Sequence, residues 1–398
     1  MAKMTFRLLI GALLGSWLGG VGPAAAAPAA GQPLDINVIL PLTGGASFLG
    51  TGEQTALQLL EGQVNADGGV GGRPVHFLIQ DDQSSPQAAV QLSTQIFSGN
   101  SPVVLGSALV GMCNAMAPLT EAKGPLMYCF SPGIHPKPGS FAYTSNVSTH
   151  ELAVTLIRYF RSKGWTKLAL ITSTDASGQD AERGIRDLLG QPENSDIKLV
   201  ARANFNPSDI SVSAQIETIK AAAPQALIAW STGAPIGTVF KAITQAGLDV
   251  PVGTTNGNMT YAQMTQYAAF LPKQLYIPSS QWPEHAAGQS LPPDVAAAHA
   301  KFHSAYKAAG KQPDFASALA WDPAMLVIDA LRKLGPDTSA DKLREYMSHL
   351  KGYAGINGFY DFEKVPQRGL DEEACVVTRW DPAKNTWVIV SKPAGAPL

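Results

Sequence analysis

Few residues in this chain are of a type and spacing that could do chemistry. Asp81 and Asp82 are adjacent carboxylates at the end of a predicted strand. Successive strand side chains face opposite ways, so the pair is not placed to work as acid and base, and capping or solvation is the expected role. His299 and His303 stand four apart on a predicted helix, a spacing that suits two metal ligands. No third ligand lies near them in sequence, so an ordinary, partly exposed helix face is expected. His135 follows a strand in a proline-rich turn, where it either reaches a ligand or packs. The glycine-rich LTGGASFLGTGEQ lacks the G-x-G-x-x-G spacing that seats a pyrophosphate, and no G-x-x-x-x-G-K-S/T, H-E-x-x-H or G-x-S-x-G stretch occurs. The expectation is a protein with no catalytic residues, no metal and no cofactor.

A different pattern stands out where strands end. The segments 43–50, 106–113, 131–135, 173–178, 231–235 and 254–258 are rich in glycine and in serine, threonine or asparagine. Main-chain N–H groups and hydroxyls in such loops, some at helix N-termini, can hold a carboxylate without lysine or arginine. Turn and capping chemistry favours the same residues.

The elements that must carry these loops alternate. Short apolar runs at 35–41, 74–80, 102–106 and 125–130 read as strands between helix-period segments at 52–66, 86–97 and 111–122. The pattern restarts with a helix at 150–162, then strands at 167–173, 197–203, 225–230 and 250–254 between helices at 181–189, 210–222 and 235–247. Longer helices are expected at 294–309, 315–334 and 340–350, and short strands in the tail, including 374–379 and 386–390. Continuous apolar strands between helices mean parallel sheets covered on both faces, so the fold class is α/β, with two doubly wound three-layer lobes. Such lobes gather their strand-end loops around a shared crevice.

Size and composition agree. The chain has 398 residues, a formal charge of −2 and only 15% charged residues. That balance offers no basic surplus for nucleic acid. Residues 1–30 combine Lys3 and Arg7, a short apolar run and a small-residue stretch, the form of a signal peptide cleaved near 26–30. Three cysteines make no disulfide scaffold; Cys113 and Cys129 are the pair more apt to bond, but three buried thiols are expected.

Several stretches then carry a resemblance in their order and spacing: DINVILPLTGGASFLG, NADGGVGGRPVHFLIQDDQSSP, VVLGS, GPLMYCFSP, KLALITSTDASGQDAERG, PQALIAWSTGAPIGTVFKAITQAGL and ALAWDPAMLVIDAL. Over nearly the whole chain beyond the leader, the sequence resembles the periplasmic solute-binding proteins of branched-chain amino acid ABC uptake systems, the leucine/isoleucine/valine-binding type. The resemblance implies a periplasmic binding protein type I fold. Lobe 1 would comprise residues 31–148 with 279–354 and lobe 2 residues 149–278 with 355–398. Hinge crossings would fall near 146–150, 275–280 and 352–358. It also implies a periplasmic location, a small-molecule carboxylate ligand, an inner-membrane ABC permease as partner, and a monomer.

Carried over residue by residue, the resemblance places Leu109, Val110, Ser131 and Gly133 in the carboxylate-binding loops. It places Phe48 and Leu49 at the side-chain pocket, and Ser177 and Thr232 at closing positions that are aromatic in the family. Asn256 falls where the family has the acidic residue that receives the ammonium. Losing one side of a buried charge pair costs about 3–5 kcal/mol, which disfavours an α-amino acid unless another carboxylate, such as Asp175, replaces it. The expected ligand is an acid with an apolar body and no ammonium, in the first instance an aromatic acid, since similar members with an S-T-D-A-S-G loop are associated with aromatic acids. The rivals are a branched-chain amino acid receptor, a sensory module for a signalling partner, and an enzyme using the same cleft.

Overall fold

A computed structural model of the chain describes residues 1, 29–99, 101–120, 123–284 and 291–398. The expected leader therefore lies almost wholly outside the described residues. Among those described, no helix is long and apolar enough to cross a membrane.

The chain builds two sheets in sequence. The first runs β1 (Leu34–Leu40), α1 (Ser47–Ala66), β2 (Val75–Asp81), α2 (Pro86–Phe97), β3 (Val103–Gly106), α3 (Val110–Met116), β4 (Leu126–Cys129) and β5 (Ala142–Thr144). Its strands are all parallel in the order β2-β1-β3-β4-β5. The second starts with α4 (Thr149–Ser162) and continues with β6 (Lys167–Ser173), α5 (Ala176–Leu189), β7 (Lys198–Phe205), α6 (Ser213–Ala221), β8 (Ala226–Trp230), α7 (Pro235–Ala246), β9 (Val252–Gly253), α8 (Tyr261–Gln266) and β10 (Leu275–Ser280).

From Ser280 the chain returns to the first lobe as α9 (Pro293–Ala308), α10 (Phe315–Leu334), α11 (Ala340–Ser348) and the hairpin β11 (Lys351–Gly355)–β12 (Gly358–Asp361). It ends in β13 (Cys375–Asp381) and β14 (Thr386–Ile389), which extend the second sheet antiparallel beyond β10. That sheet is ordered β14-β13-β10-β9-β8-β6-β7. This is the α/β, two-lobed, doubly wound architecture that the sequence implied. Helices α1 and α10 cover one face of the first sheet with an apolar stripe that includes Leu49, Leu57, Leu60, Leu319 and Leu326, all buried.

The hinge lies where the chain changes sheet. The first two passages fall at 145–148 and just after Ser280. The third does not fall at 352–358, because the β11–β12 ladder closes on itself there. Gln367 then accepts the Thr144 N–H at its carbonyl, 2.9 Å away, so the chain reaches the second sheet only on approaching Cys375. The side-chain amide of Asn146 joins two passages by donating to Ser280 Oγ (2.8 Å) and Asn357 Oδ1 (3.2 Å). Asp322 on α10 anchors the turn of the hairpin, accepting from Ile356 N, Asn357 N and Tyr360 Oη.

Candidate functional site

Six strand-end loops, three from each sheet, meet between the lobes. From the first lobe come the β1–α1 loop with Leu49, the β3–α3 loop with Leu109 and Val110, and the β4–β5 loop with Ser131 and Gly133. From the second come the β6–α5 loop with Ser177, the β8–α7 loop with Thr232, and the loop after β9 with Asn256. These eight residues line one cavity together with Ala108, Pro132, Thr149, Trp230, Thr255, Gly257, Phe315 and Leu319. Ala108, Pro132, Thr255 and Gly257 lie in loops that the sequence singled out, whereas Thr149, Trp230, Phe315 and Leu319 lie outside them. Trp230 could have been found as the last residue of its strand, whereas Phe315 and Leu319 come from a helix with no local signal.

Phe48 is the exception. It lies in a neighbouring, more open cleft of about 700 Å³ with Tyr261 and Asp314, and its ring meets Tyr267 of the second lobe edge-on at 6.3 Å. Residues 48 and 49 are successive on a helix and point about 100° apart, so only Leu49 faces the cavity.

The lobes are shut. Ala234 N–H donates to Gly45 O across the cleft (2.9 Å), and Phe315 N–H to Met259 O (3.1 Å). His135 reaches the second lobe, where its Nε2 lies 2.8 Å from Asp180 Oδ1. Burial pushes the Asp180 carboxyl up, but hydrogen bonding and charge from His135, with Thr149 and Arg183 adding to them, hold it below the ordinary aspartate value. Gly233 lets the lobes meet: a Cβ there would lie 2.5 Å from Gly45 O, and its φ of +86° suits glycine. The closed cavity between these contacts is narrow, with room for little more than a water molecule.

The chemistry of the lining is uncharged. Among the described residues, no ionisable side chain lines the cavity. Asn256 is fully buried; its Oδ1 accepts from Thr255 Oγ1 at 3.3 Å, while its Nδ2 has no partner. An orphaned buried donor costs about 1–3 kcal/mol, which an acceptor on a ligand would recover. The Ser177 and Thr232 hydroxyls bond each other at 2.8 Å, side by side on the second-lobe wall. Asn258 builds this wall from behind, donating to Ser231 O (2.7 Å) and Thr254 Oγ1 (3.0 Å) and accepting from Gly233 N (3.1 Å). On the other wall, Val110 and Gly133 fit as a pair: a Cβ at 133 would lie 2.6 Å from Val110 Cγ2.

The remaining candidates are structural. Asp175 caps α5, accepting from Gly178 N (3.0 Å) and Ser173 Oγ (2.8 Å), and does not line the cavity. Asp81 and Asp82 organise turns, the first accepting from Thr43 and the second from Ser84 N and Ser107 Oγ. His299 is buried rather than on an exposed face, bonding Ile356 O (2.8 Å) and fixing α9 to the hairpin. Among the described residues, no cluster suits a metal. The three thiols expected at Cys113, Cys129 and Cys375 are corrected: Cys113 and Cys129 form a disulfide with Cα atoms 6.0 Å apart, and Cys375 stays a buried thiol. Strands β3 and β4 are neighbours, so α3, which follows β3, lies beside the end of β4 and brings Cys113 within bonding reach of Cys129.

The chain matches a family model described as periplasmic binding protein over residues 33–385. No curated protein sequence matches it. Similar solved structures include an extracellular ligand-binding receptor from Rhodopseudomonas palustris HaA2, at 20% identity and TM-score 0.79 over 89% of this chain and 99% of that one. The substrate-binding protein of a branched-chain amino acid transporter from Streptococcus pneumoniae, in complex with isoleucine, is 17% identical, with TM-score 0.74 over 90% of this chain and 99% of that one. A fatty acid ABC transporter substrate-binding protein from Thermomonospora curvata is 18% identical, with TM-score 0.75 over 92% of this chain and 94% of that one.

Proposed function

Because the chain belongs to the periplasmic binding protein family, an extracytoplasmic family of solute receptors, we propose that it is the solute receptor of an ABC importer and that its cargo is a small acid with an apolar body and no ammonium, in the first instance an aromatic acid. The lobes would close over the ligand about the three-passage hinge and present the closed form to an inner-membrane permease. Residues 1–30 would be the signal peptide that exports the protein.

The observation that carries the ligand class is the buried, unpartnered Asn256 amide nitrogen in a cavity without a charged lining. A carboxylate offers acceptors to that donor, to the loop N–H groups and to the paired hydroxyls of Ser177 and Thr232. An α-ammonium would find no carboxylate to meet it. Leu49, Leu109, Val110, Trp230, Phe315 and Leu319 would surround the apolar body. Both a branched-chain amino acid and a fatty acid appear in the names of structural neighbours, and the uncharged lining favours the acid without the amine.

Calorimetric titration with benzoate, phenylacetate, 3-phenylpropionate, leucine and valine tests the reading. Binding of at least one of these acids with no leucine or valine response is expected. Tight leucine or valine binding without any response to the acids overturns it.

A further inference from the structure

Arg368 lies far in sequence from every cavity loop, yet it is buried directly behind one of them. Its Nη1 donates to Pro132 O (3.0 Å) and Asn146 O (2.9 Å), and its Nη2 to Ile134 O (2.7 Å). Among the described residues no carboxylate pairs with it. The cation is held by three peptide carbonyls, two of them from the loop that puts Ser131, Pro132 and Gly133 into the cavity. A trans peptide points its N–H opposite to its C=O. Fixing Pro132 O towards Arg368 therefore turns the Gly133 N–H away from it, towards the Ser131 hydroxyl, whose Oγ lies 3.4 Å off.

We propose that Arg368 is the counter-charge for the ligand carboxylate, acting as a positioning residue through the 131–134 loop without touching the ligand. This rests on the carboxylate reading above and names the charge that the cavity lining lacks. Burial lowers the guanidinium to about 10, so it remains a cation at neutral pH. Two acids face it, Glu151 and Asp180, and the Asp180 Oδ2 has no hydrogen-bond partner of its own. Glu151 accepts the Ser148 N–H at the start of α4 (2.7 Å), and Asp180 pairs with His135 and Arg183. A buried charge one peptide away acts through little water and keeps much of its strength. The Asn146 contact also ties this cation to the first hinge passage.

The test compares isosteres: benzoate with benzamide and phenylacetate with phenylacetamide, titrated into the full-length mature protein. The unsubstituted protein should prefer acid to amide by more than about tenfold. Arg368→Gln should lose about tenfold in acid affinity while amide affinity changes less than threefold. Arg368→Lys should restore the acid preference. A merely structural role would weaken acid and amide alike and leave their ratio unchanged, which overturns the proposal. Equal binding of acid and amide by the unsubstituted protein also overturns it, even if no variant folds. If that protein binds no acid at all, the carboxylate reading fails, and this proposal with it. An acid-binding protein whose Gln variant keeps its ratio refutes the role of Arg368 alone.

Discussion

Asn256 differs from aspartate by one group, and that group sets which ligands the cleft can close on. Asn256→Asp would bring an ionised acid into the uncharged cavity and should weaken acid ligands by about 3 kcal/mol, roughly 100-fold, while admitting leucine; calorimetry reads both effects. Asp314 gives a pH signature. Burial outweighs its capping bonds to Ser317 and raises its carboxyl to about 6 from 3.8. Between those values the folded protein holds the proton that the unfolded chain has lost, so this contribution is full below pH 3.8 and disappears as the pH passes 6. Asp314 keeps some exposed surface, which limits the loss to at most about 3 kcal/mol. Asp314→Asn preserves a capping residue and should flatten the fall in melting temperature between pH 4 and pH 7. An unchanged slope would contradict this account. Of the cavity residues, those in small-residue loops were legible in the chain because turn chemistry and the family resemblance both point there. Arg368 and Leu319 were not, since a buried cation and a helix face become site residues only when distant segments meet.

Most elements announced themselves through periodicity, and the exceptions have physical causes. Strand β5 is three residues long, and β10 contains Pro278 and two serines, so neither shows an unbroken apolar run. Helix α1 begins at Ser47 rather than 52 because Phe48 and Leu49 already turn helically, while the glycines around them read as loop. The disulfide was the larger miss. Its partners lie 16 apart, and only the adjacency of β3 and β4 brings the stretch after one beside the end of the other. It ties α3, which starts at Val110, to the last residue of β4, two residues before Ser131, so it braces two cavity loops at once. The double substitution Cys113→Ala/Cys129→Ala should lower unfolding free energy by about 3 kcal/mol, the closure entropy of so short a loop. Urea titration measures it, and a loss under about 0.5 kcal/mol would show that the crosslink adds little.

At the scale of the molecule, closure depends on a few contacts at the rim and a polar hinge behind the cavity. Gly233→Ala would press a methyl group against Gly45 O and should leave the lobes apart, with a larger radius of gyration by small-angle scattering and about tenfold weaker ligand binding. A variant that still compacts on adding ligand would refute the contact's importance. The two-lobed plan could be read from the repeated strand–helix pattern, but the late third passage could not, because a β-hairpin and a hinge crossing look alike as short extended runs. The single peptide contact between Ala234 and Gly45 offers one more use. While that amide is engaged with the opposite lobe it is shielded from solvent, so in heavy water its proton should be replaced at the pace at which the molecule gapes. Followed with and without cargo, one backbone position would time the breathing of the whole protein without any attached label.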